Sequence, residues 1–240
     1  MQSDTSSTPS TWRAPTIPQR GGLLAKLHKF AYTSTFVYAC IIALLATPFF
    51  QRHAVYQHAV KVPWGAKFEL PEKYRLAPGK TLNFKLTTSD NVTIGAWFVL
   101  SEPFYQSLRR DAPSPLEQPS LATVQDAVRS HPTILYFHGN AATRAAPKRV
   151  QHYAAFTSRL RTNVLVIDYR GFGDSRGIPS EHGLTEDAKT AWRWVLDQGA
   201  KPEDVMLVGR ISAGADETHG LTYPFRPPIS LCISVRAEHV

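Results

Sequence analysis

The chain has 240 residues, 43% of them hydrophobic and 11% aromatic, which excludes a wholly disordered protein and allows one domain with an ordinary core. Its formal charge is +8, but the Lys and Arg residues are scattered, and this argues against nucleic-acid binding. Two cysteines cannot form a disulfide framework and no Cys/His spacing resembles a zinc site, so we expect neither a metal nor a cofactor.

The first long apolar stretch is FAYTSTFVYACIIALLATPFF, residues 30–50, which follows a tail (1–29) that we expect to be disordered. It contains no charged residue over about the 20 residues that a bilayer-crossing helix needs, so it predicts a single transmembrane helix. Thr33, Ser34 and Thr35 dilute its first half, which leaves a buried helix of a globular domain as the alternative.

The charges around this stretch predict its orientation. Arg20, Lys26 and Lys29 precede it, whereas only Arg52 follows it closely, so the positive-inside rule places the N-terminus in the cytosol. The larger C-terminal part would then face the lumen of the endoplasmic reticulum or the exterior, and we expect residence in the endoplasmic reticulum membrane. The N-V-T sequon at Asn91 is a candidate glycosylation site on that side.

A linker, residues 51–80, leads into two short segments with partial apolar alternation. These segments, 81–88 and 92–100, are separated by a brief polar break and predict an antiparallel hairpin. Residues 101–131 are polar and contain several prolines, so we expect a surface insertion there.

The pattern then changes to alternating strands and helices. Residues 133–139, 163–169 and 204–209 are nearly continuous apolar runs, typical of parallel strands covered on both faces. A helical segment beginning at Pro147 and a second one containing Trp192 lie between them. Residues 81–210 are therefore predicted to form a three-layer α/β domain.

Polar residues follow each of these strands, where ligands gather in parallel sheets. After the first strand, YFHGNAATR has a glycine that lets the backbone turn its N–H groups into a cavity, where they could stabilise an oxyanion; the alternative is an ordinary turn. The second strand runs into DYRGFGDSRG, which we interpret mainly as a structural loop beside the site. The third, VMLVG, runs into RISAGA.

These motifs, in this order after an apolar N-terminal segment, resemble the membrane-anchored α/β-hydrolases of the lysophosphatidylserine lipase and monoacylglycerol lipase type, over about residues 60–210. The resemblance implies an α/β-hydrolase three-layer sandwich, incomplete at the C-terminus, that acts as a serine hydrolase on lipid esters. The implied partners are the lipid bilayer and a lipid ester substrate. The implied site comprises oxyanion donors and pocket residues: Asn140, Ala141 and Ala213 as donors, and His138, Gly139 and Tyr169 in the pocket.

The nucleophile region departs from the family pattern. The elbow G-x-S-x-G needs small residues around its serine, but residues 209–214 read GRISAG. The serine should follow Arg210 directly, where this chain has Ile211, so Ser212 is a candidate nucleophile out of register by one. The acid and histidine of a triad are not identifiable, because they belong to later strands and the tail at 211–240 contains three prolines and no matching pattern.

Three hypotheses follow. The chain is an active membrane-bound esterase using Ser212, a catalytically inactive membrane-anchored binding protein, or a truncated product of a hydrolase gene. We favour the third, because the pattern is lost abruptly between Arg210 and Ile211.

Overall fold

The computed structural model describes residues 22–111 and 117–209, and the chain divides into two compact units, one ending at Phe50 and one beginning at Gln51. In the first unit, helix α1 (Gly22–Leu45) has 24 residues, is long and apolar enough to cross a membrane, and buries none of them. Helix α2 (Pro48–Tyr56) follows after a two-residue break. The break has a local cause, because Pro48 disfavours a helical conformation in the residue before it. The apolar helix predicted at 30–50 therefore exists with earlier bounds.

The second unit is built on a five-stranded sheet with the order β1-β2-β4-β3-β5. Strand β1 pairs antiparallel with β2, β2 pairs antiparallel with β4, and β3 pairs parallel with both β4 and β5. The predicted hairpin and the three predicted parallel strands are confirmed. The strands are β1 (Thr81–Thr87), β2 (Thr93–Val99), β3 (Thr133–Phe137), β4 (Asn163–Asp168) and β5 (Val205–Gly209).

Helices cover both faces of this sheet. They are α3 (Glu102–Asp111), α4 (Leu121–Ser130), α5 (Pro147–Arg159) and α6 (Glu181–Asp197). Serine residues cap the N-termini of two of these helices. Ser120 Oγ accepts from the Thr123 N–H at α4, and Ser180 Oγ accepts from the Gly183 N–H at α6.

The core forms on both sides of the central strand because successive side chains point to opposite faces. In β4, Leu165 and Ile167 pack with α4 and α6, while Val164 and Val166 pack with α5. All six residues of β4 are buried, as the continuous apolar run indicated. The architecture is a three-layer α/β sandwich, as the resemblance to the α/β-hydrolases implies.

The prediction of a surface insertion at 101–131 is wrong. Helices α3 and α4 occupy much of that segment, and Tyr105, Val124 and Ala127 are buried in the core. Their apolar residues recur at helical spacing, but the intervening charges and prolines concealed the pattern in the sequence.

Candidate active site

The loop after β3 reverses direction without a glycine at its turn. Ala141 and Ala142 have φ values of 64° and 56°, in the left-handed region that non-glycine residues adopt rarely and at a cost. Contacts from outside the loop hold this conformation. The N–H of Ala142 donates to the Val60 carbonyl oxygen at 2.7 Å, and the N–H of Thr143 donates to that of Val62 at 3.0 Å.

Of the N–H groups in this turn that the resemblance implies as oxyanion donors, one is free among the described residues and one is engaged. The Ala141 N–H donates to its neighbour's side chain, Asn140 Oδ1, at 3.0 Å. Within residues 22–111 and 117–209, the N–H groups of Gly139 and Asn140 have no hydrogen-bond partner. The Asn140 N–H, a predicted donor, therefore has no partner in the part of the chain that the structure describes, whereas the Ala141 N–H would have to release Asn140 Oδ1 to serve as one.

Arg149, in the first turn of α5, binds the carbonyl groups of the same loop. Its guanidinium donates to the carbonyl oxygens of Thr143 (2.8 Å), Gly139 (3.0 Å) and Ala141 (2.5 Å). Charge-assisted bonds of this kind are stronger than neutral ones. Because the carbonyl groups are drawn towards Arg149, the peptide units between them are fixed in orientation.

His138 is buried behind the loop and both its ring nitrogens face oxygen atoms of the protein. Nδ1 lies 2.9 Å from the Gly139 carbonyl oxygen, and Nε2 lies 3.1 Å from Asp168 Oδ1, although poorly aligned for a hydrogen bond. The ring packs edge-on against Tyr169 and Phe172 at 5.2 and 5.3 Å between centroids. The structure thus brings the predicted pocket residues His138, Gly139 and Tyr169 together, with His138 placed as a support of the loop.

A buried charge cluster lies beneath these residues, and sequence reasoning missed its centre, Arg144. The Arg144 side chain is fully buried, with Nη1 2.6 Å from Asp168 Oδ2 and 2.6 Å from Asp174 Oδ1, while its backbone N–H donates to Asp168 Oδ1 at 2.6 Å. The guanidinium stacks over the Phe68 ring at 3.9 Å. A lone Arg in a sequence gives no sign of burial, but an Asp closing an apolar strand signals that a cation must meet it.

The charges in this cluster stabilise one another. Burial acts to raise the pKa of Asp168 and Asp174, but the attractions and hydrogen bonds of Arg144, with His138 at Asp168 and Lys85 at Asp174, together lower the pKa of each carboxyl below its usual value. Lys85 adds a second cation beside Asp174. Both carboxylates are therefore ionised near neutral pH.

The charge cluster occupies space that is open because two neighbouring residues are glycines without a side chain. A Cβ added at Gly95 would overlap the side chains of Asp174 and Arg144, and one at Gly173 would overlap Asp168. Gly95 lies opposite Asp168 in the pairing of β2 with β4, so the hairpin covers the cluster through a strand position without a side chain.

The loop after β4 is held by a second charge group, which agrees with its interpretation as a structural loop. Arg170 lies 2.8 Å from Asp187 of α6 and 2.6 Å from Asp90 of the hairpin turn. Burial raises the pKa of Asp187 despite this partner, and the hydrogen bonds with Arg170 lower the pKa of Asp90. Ser175 Oγ donates to the Asp168 carbonyl oxygen at 2.6 Å and accepts from the Gly95 N–H at 2.8 Å.

The remaining site residues lie elsewhere. Ser212 and Ala213 lie outside the described residues, which stop at the end of β5 (Val205–Gly209). Asn91 is exposed at the tip of the hairpin with φ of 60°, a conformation that Asn tolerates better than most residues. Two surface cavities of about 490 and 400 Å³ have no wall formed by residues 138–143.

Comparison with known proteins gives relatives by sequence. No family model matches the chain. It is 32% identical to lysophosphatidylserine lipase ABHD12 of Danio rerio, over 77% of this chain and 46% of the relative, and 35% identical to that of Gallus gallus, over 74% and 44%. The chain therefore spans less than half the length of these relatives. An α/β hydrolase from Vibrio vulnificus superposes with a TM-score of 0.45 and 17% identity, over 68% of this chain and 48% of that one.

Proposed function

We propose that this chain, which is homologous to the lysophosphatidylserine lipases over about three quarters of its length, carries the oxyanion half of a membrane-bound serine hydrolase of lipid esters. The observation that supports this most directly is the loop after β3. There the Asn140 N–H, without a partner among the described residues, follows a strand of the sheet and is held in place by Arg149. Fixed N–H donors in that position suit the oxyanion that forms during acyl transfer.

In this proposal the reaction class is acyl transfer from a lysophospholipid or a monoacylglycerol. A serine hydroxyl attacks the ester carbonyl as a base takes its proton, and the N–H of Asn140, with those of Ala141 or Ala213, stabilises the negative charge that develops on the carbonyl oxygen. The ester C–O bond then breaks, the alcohol leaves with that proton, and water releases the fatty acid from the acyl-serine. Ser212 is the candidate nucleophile. His138 supports the loop rather than acting as the general base, because its two nitrogens already face protein oxygens.

The altered elbow pattern favours a second candidate function, in which this chain itself has no hydrolase activity. The register shift at Arg210 and Ile211 supports a chain without hydrolase activity of its own, either a truncated product or a membrane-anchored binding protein. Sequencing transcripts across the Arg210 codon distinguishes these two. A downstream frame that encodes a Ser-x-Gly elbow, an Asp and a His supports truncation, and uninterrupted coding of Ile211 in every transcript contradicts it.

Activity is tested with a fluorophosphonate probe on the full chain in lipid nanodiscs. We expect the probe to label the wild type and Ser212→Ala equally. The matched control is Ser158→Ala, which removes an exposed serine of α5. Labelling that disappears in Ser212→Ala but persists in Ser158→Ala would show an active enzyme and reject the second candidate.

The oxyanion role is tested in whichever form of the protein is active on lysophospholipids. Asn140→Pro removes the backbone N–H, whereas Asn140→Ala keeps it and removes only the side chain. We expect the proline variant to lose about 10²- to 10³-fold in kcat, as for other oxyanion donors, and the alanine variant to lose far less. Equal losses with unchanged circular dichroism would assign the effect to the side chain and contradict the proposal.

We also propose that α1 spans the membrane of the endoplasmic reticulum with the N-terminus in the cytosol. The length and apolar composition of α1, the basic residues near its start and the exposure of Asn91 support this. In microsomes, a glycosidase-sensitive mass increase that disappears in Asn91→Gln is the expected result. Cleavage of an N-terminal epitope tag by protease added outside intact microsomes is expected as well, and protection of that tag would reverse the orientation.

A further inference from the structure

The segment from Gln51 to Lys67 is cationic and has an unusual apolar surface. No Asp or Glu occurs between Pro48 and Phe68, whereas Arg52, Lys61 and Lys67 do. Its exposed apolar side chains are Val55 (59% exposed), Val60 (41%), Val62 (38%) and Trp64 (74%). Basic residues interleaved with exposed aliphatic groups and a Trp are typical of surfaces that lie in the headgroup region of a bilayer.

The backbone of the same segment faces inward, onto the loop after β3. The carbonyl oxygens of Val55, Val60 and Val62 accept from the Asn140 side chain, the Ala142 N–H and the Thr143 N–H. The Thr143 hydroxyl also donates to the Val62 carbonyl oxygen at 3.1 Å. The segment therefore has two faces, with apolar side chains to the outside and carbonyl groups bound to the candidate oxyanion loop.

A second set of contacts joins the segment to the loop after β4. Lys61 Nζ donates to the Gly173 carbonyl oxygen at 3.1 Å, and the His58 ring packs edge-on against Phe172, 6.3 Å between centroids. Phe172 in turn packs against His138. Both loops at this end of the sheet are thus held by one short stretch of chain.

We propose that residues 51–67 rest on an anionic lipid surface and hold the loop after β3 at that surface. The occupant is a bilayer rather than another protein because Val55 follows the last residue of the apolar helix α1 by only ten positions. Such a stretch is too short to carry the segment far from a membrane that α1 crosses. The cationic charge, with no acid in the segment, suits anionic headgroups such as phosphatidylserine in the leaflet on the C-terminal side of α1. This inference rests on the proposal that α1 spans a membrane but not on hydrolysis, so its failure is distinguishable from failure of the proposed activity.

The test uses the full chain in nanodiscs of phosphatidylcholine alone or with about 30% phosphatidylserine, a content at which surface charge is substantial. Lipids brominated near the headgroup end of their chains quench tryptophan fluorescence on contact. The difference between wild type and Trp64→Phe isolates Trp64 from the other tryptophans. We expect a quenched component that is lost in Trp64→Phe and is larger in the anionic nanodiscs.

Charge variants separate lipid attraction from simple proximity. Arg52→Gln with Lys67→Gln, two positions that take no part in the loop contacts, should reduce the extra quenching in anionic nanodiscs, whereas Lys148→Gln with Lys201→Gln, both exposed elsewhere, should leave it unchanged. Near-ultraviolet circular dichroism verifies the fold of each variant. An identical quenched fraction in wild type and Trp64→Phe would overturn the proposal, as would equal quenching in the two lipid mixtures. Burial of Trp64 against a second copy of the chain would overturn it too.

Discussion

Asp168→Asn tests whether the buried charge cluster holds the candidate site together. The substitution keeps the shape of the side chain but removes its charge, and it turns an amide donor towards the Arg144 guanidinium. Arg144 would lose a charge-assisted contact of 2.6 Å inside the protein, and breaking a buried pair from one side costs about 3–5 kcal/mol. Asp174, which is 30% exposed and also 2.6 Å from Arg144, compensates in part, so we expect about 3 kcal/mol.

For a chain of this length the loss corresponds to a decrease in Tm of roughly 6 to 12 °C, measured by thermal unfolding of the full chain in nanodiscs. The matched control is Asp126→Asn, whose exposed carboxylate lies 3.7 Å from Arg129 and should contribute almost nothing. Because the pKa of Asp168 is lowered in the folded state, its contribution is present above the unfolded carboxyl pKa and is lost as the pH falls through the folded value. The difference between wild type and Asp168→Asn should therefore be the same at pH 6 and pH 8. A decrease no larger than that of the control would refute the argument that this cluster anchors the loop.

Three further predictions concern stability. Gly95→Ala places a Cβ on a carboxylate oxygen of the cluster and should cost about 1–3 kcal/mol by overpacking, whereas a Cβ at Gly22 has no atom within 4 Å among the described residues, so Gly22→Ala should be nearly neutral in the same unfolding assay. Burial lowers the pKa of His58 from 6.5, so the contribution of its neutral ring to stability is present above that value and is lost as the pH falls through the folded pKa. The decline in Tm from pH 7 to pH 5 should therefore be shallower in His58→Phe, and an unchanged slope would contradict this. Ser180→Ala removes the cap of α6 and should cost about 1 kcal/mol in urea unfolding, with Ser158→Ala, an exposed serine within α5, as the reference.

The strands could be predicted because their signals are local, whereas the position of the site stays a prediction. The three continuous apolar runs became β3, β4 and β5, and the glycine after β3 marked the loop that turns at the edge of the sheet. The periodicity of apolar residues and the residue types of turns are set within a few positions, so they can be recognised in a single sequence.

What the sequence did not reveal depends on residues that are distant in the chain. Arg144 and Arg149 read as ordinary surface cations, yet one is fully buried and the other binds three carbonyl groups. The left-handed turn at Ala141 is invisible for the same reason, because a conformation that alanine disfavours exists only when Val60 and Val62 hold the next residues. The linker at 51–80 likewise gave no sign that part of it supports the loop.

The hairpin that covers the charge cluster also bears on how the chain is made. Ribosomal synthesis completes β1 and β2 before Arg144 or Asp174 has emerged, yet the Asn83 side chain meets Arg144 across 61 positions and the Lys85 side chain meets the Asp174 backbone across 89. Contacts of such long range close late and slow the search for the native state. Until they form, the apolar side chains of the β1–β2 hairpin remain exposed to other chains. A folding helper that shields this hairpin would therefore raise the yield of the protein without touching the finished fold.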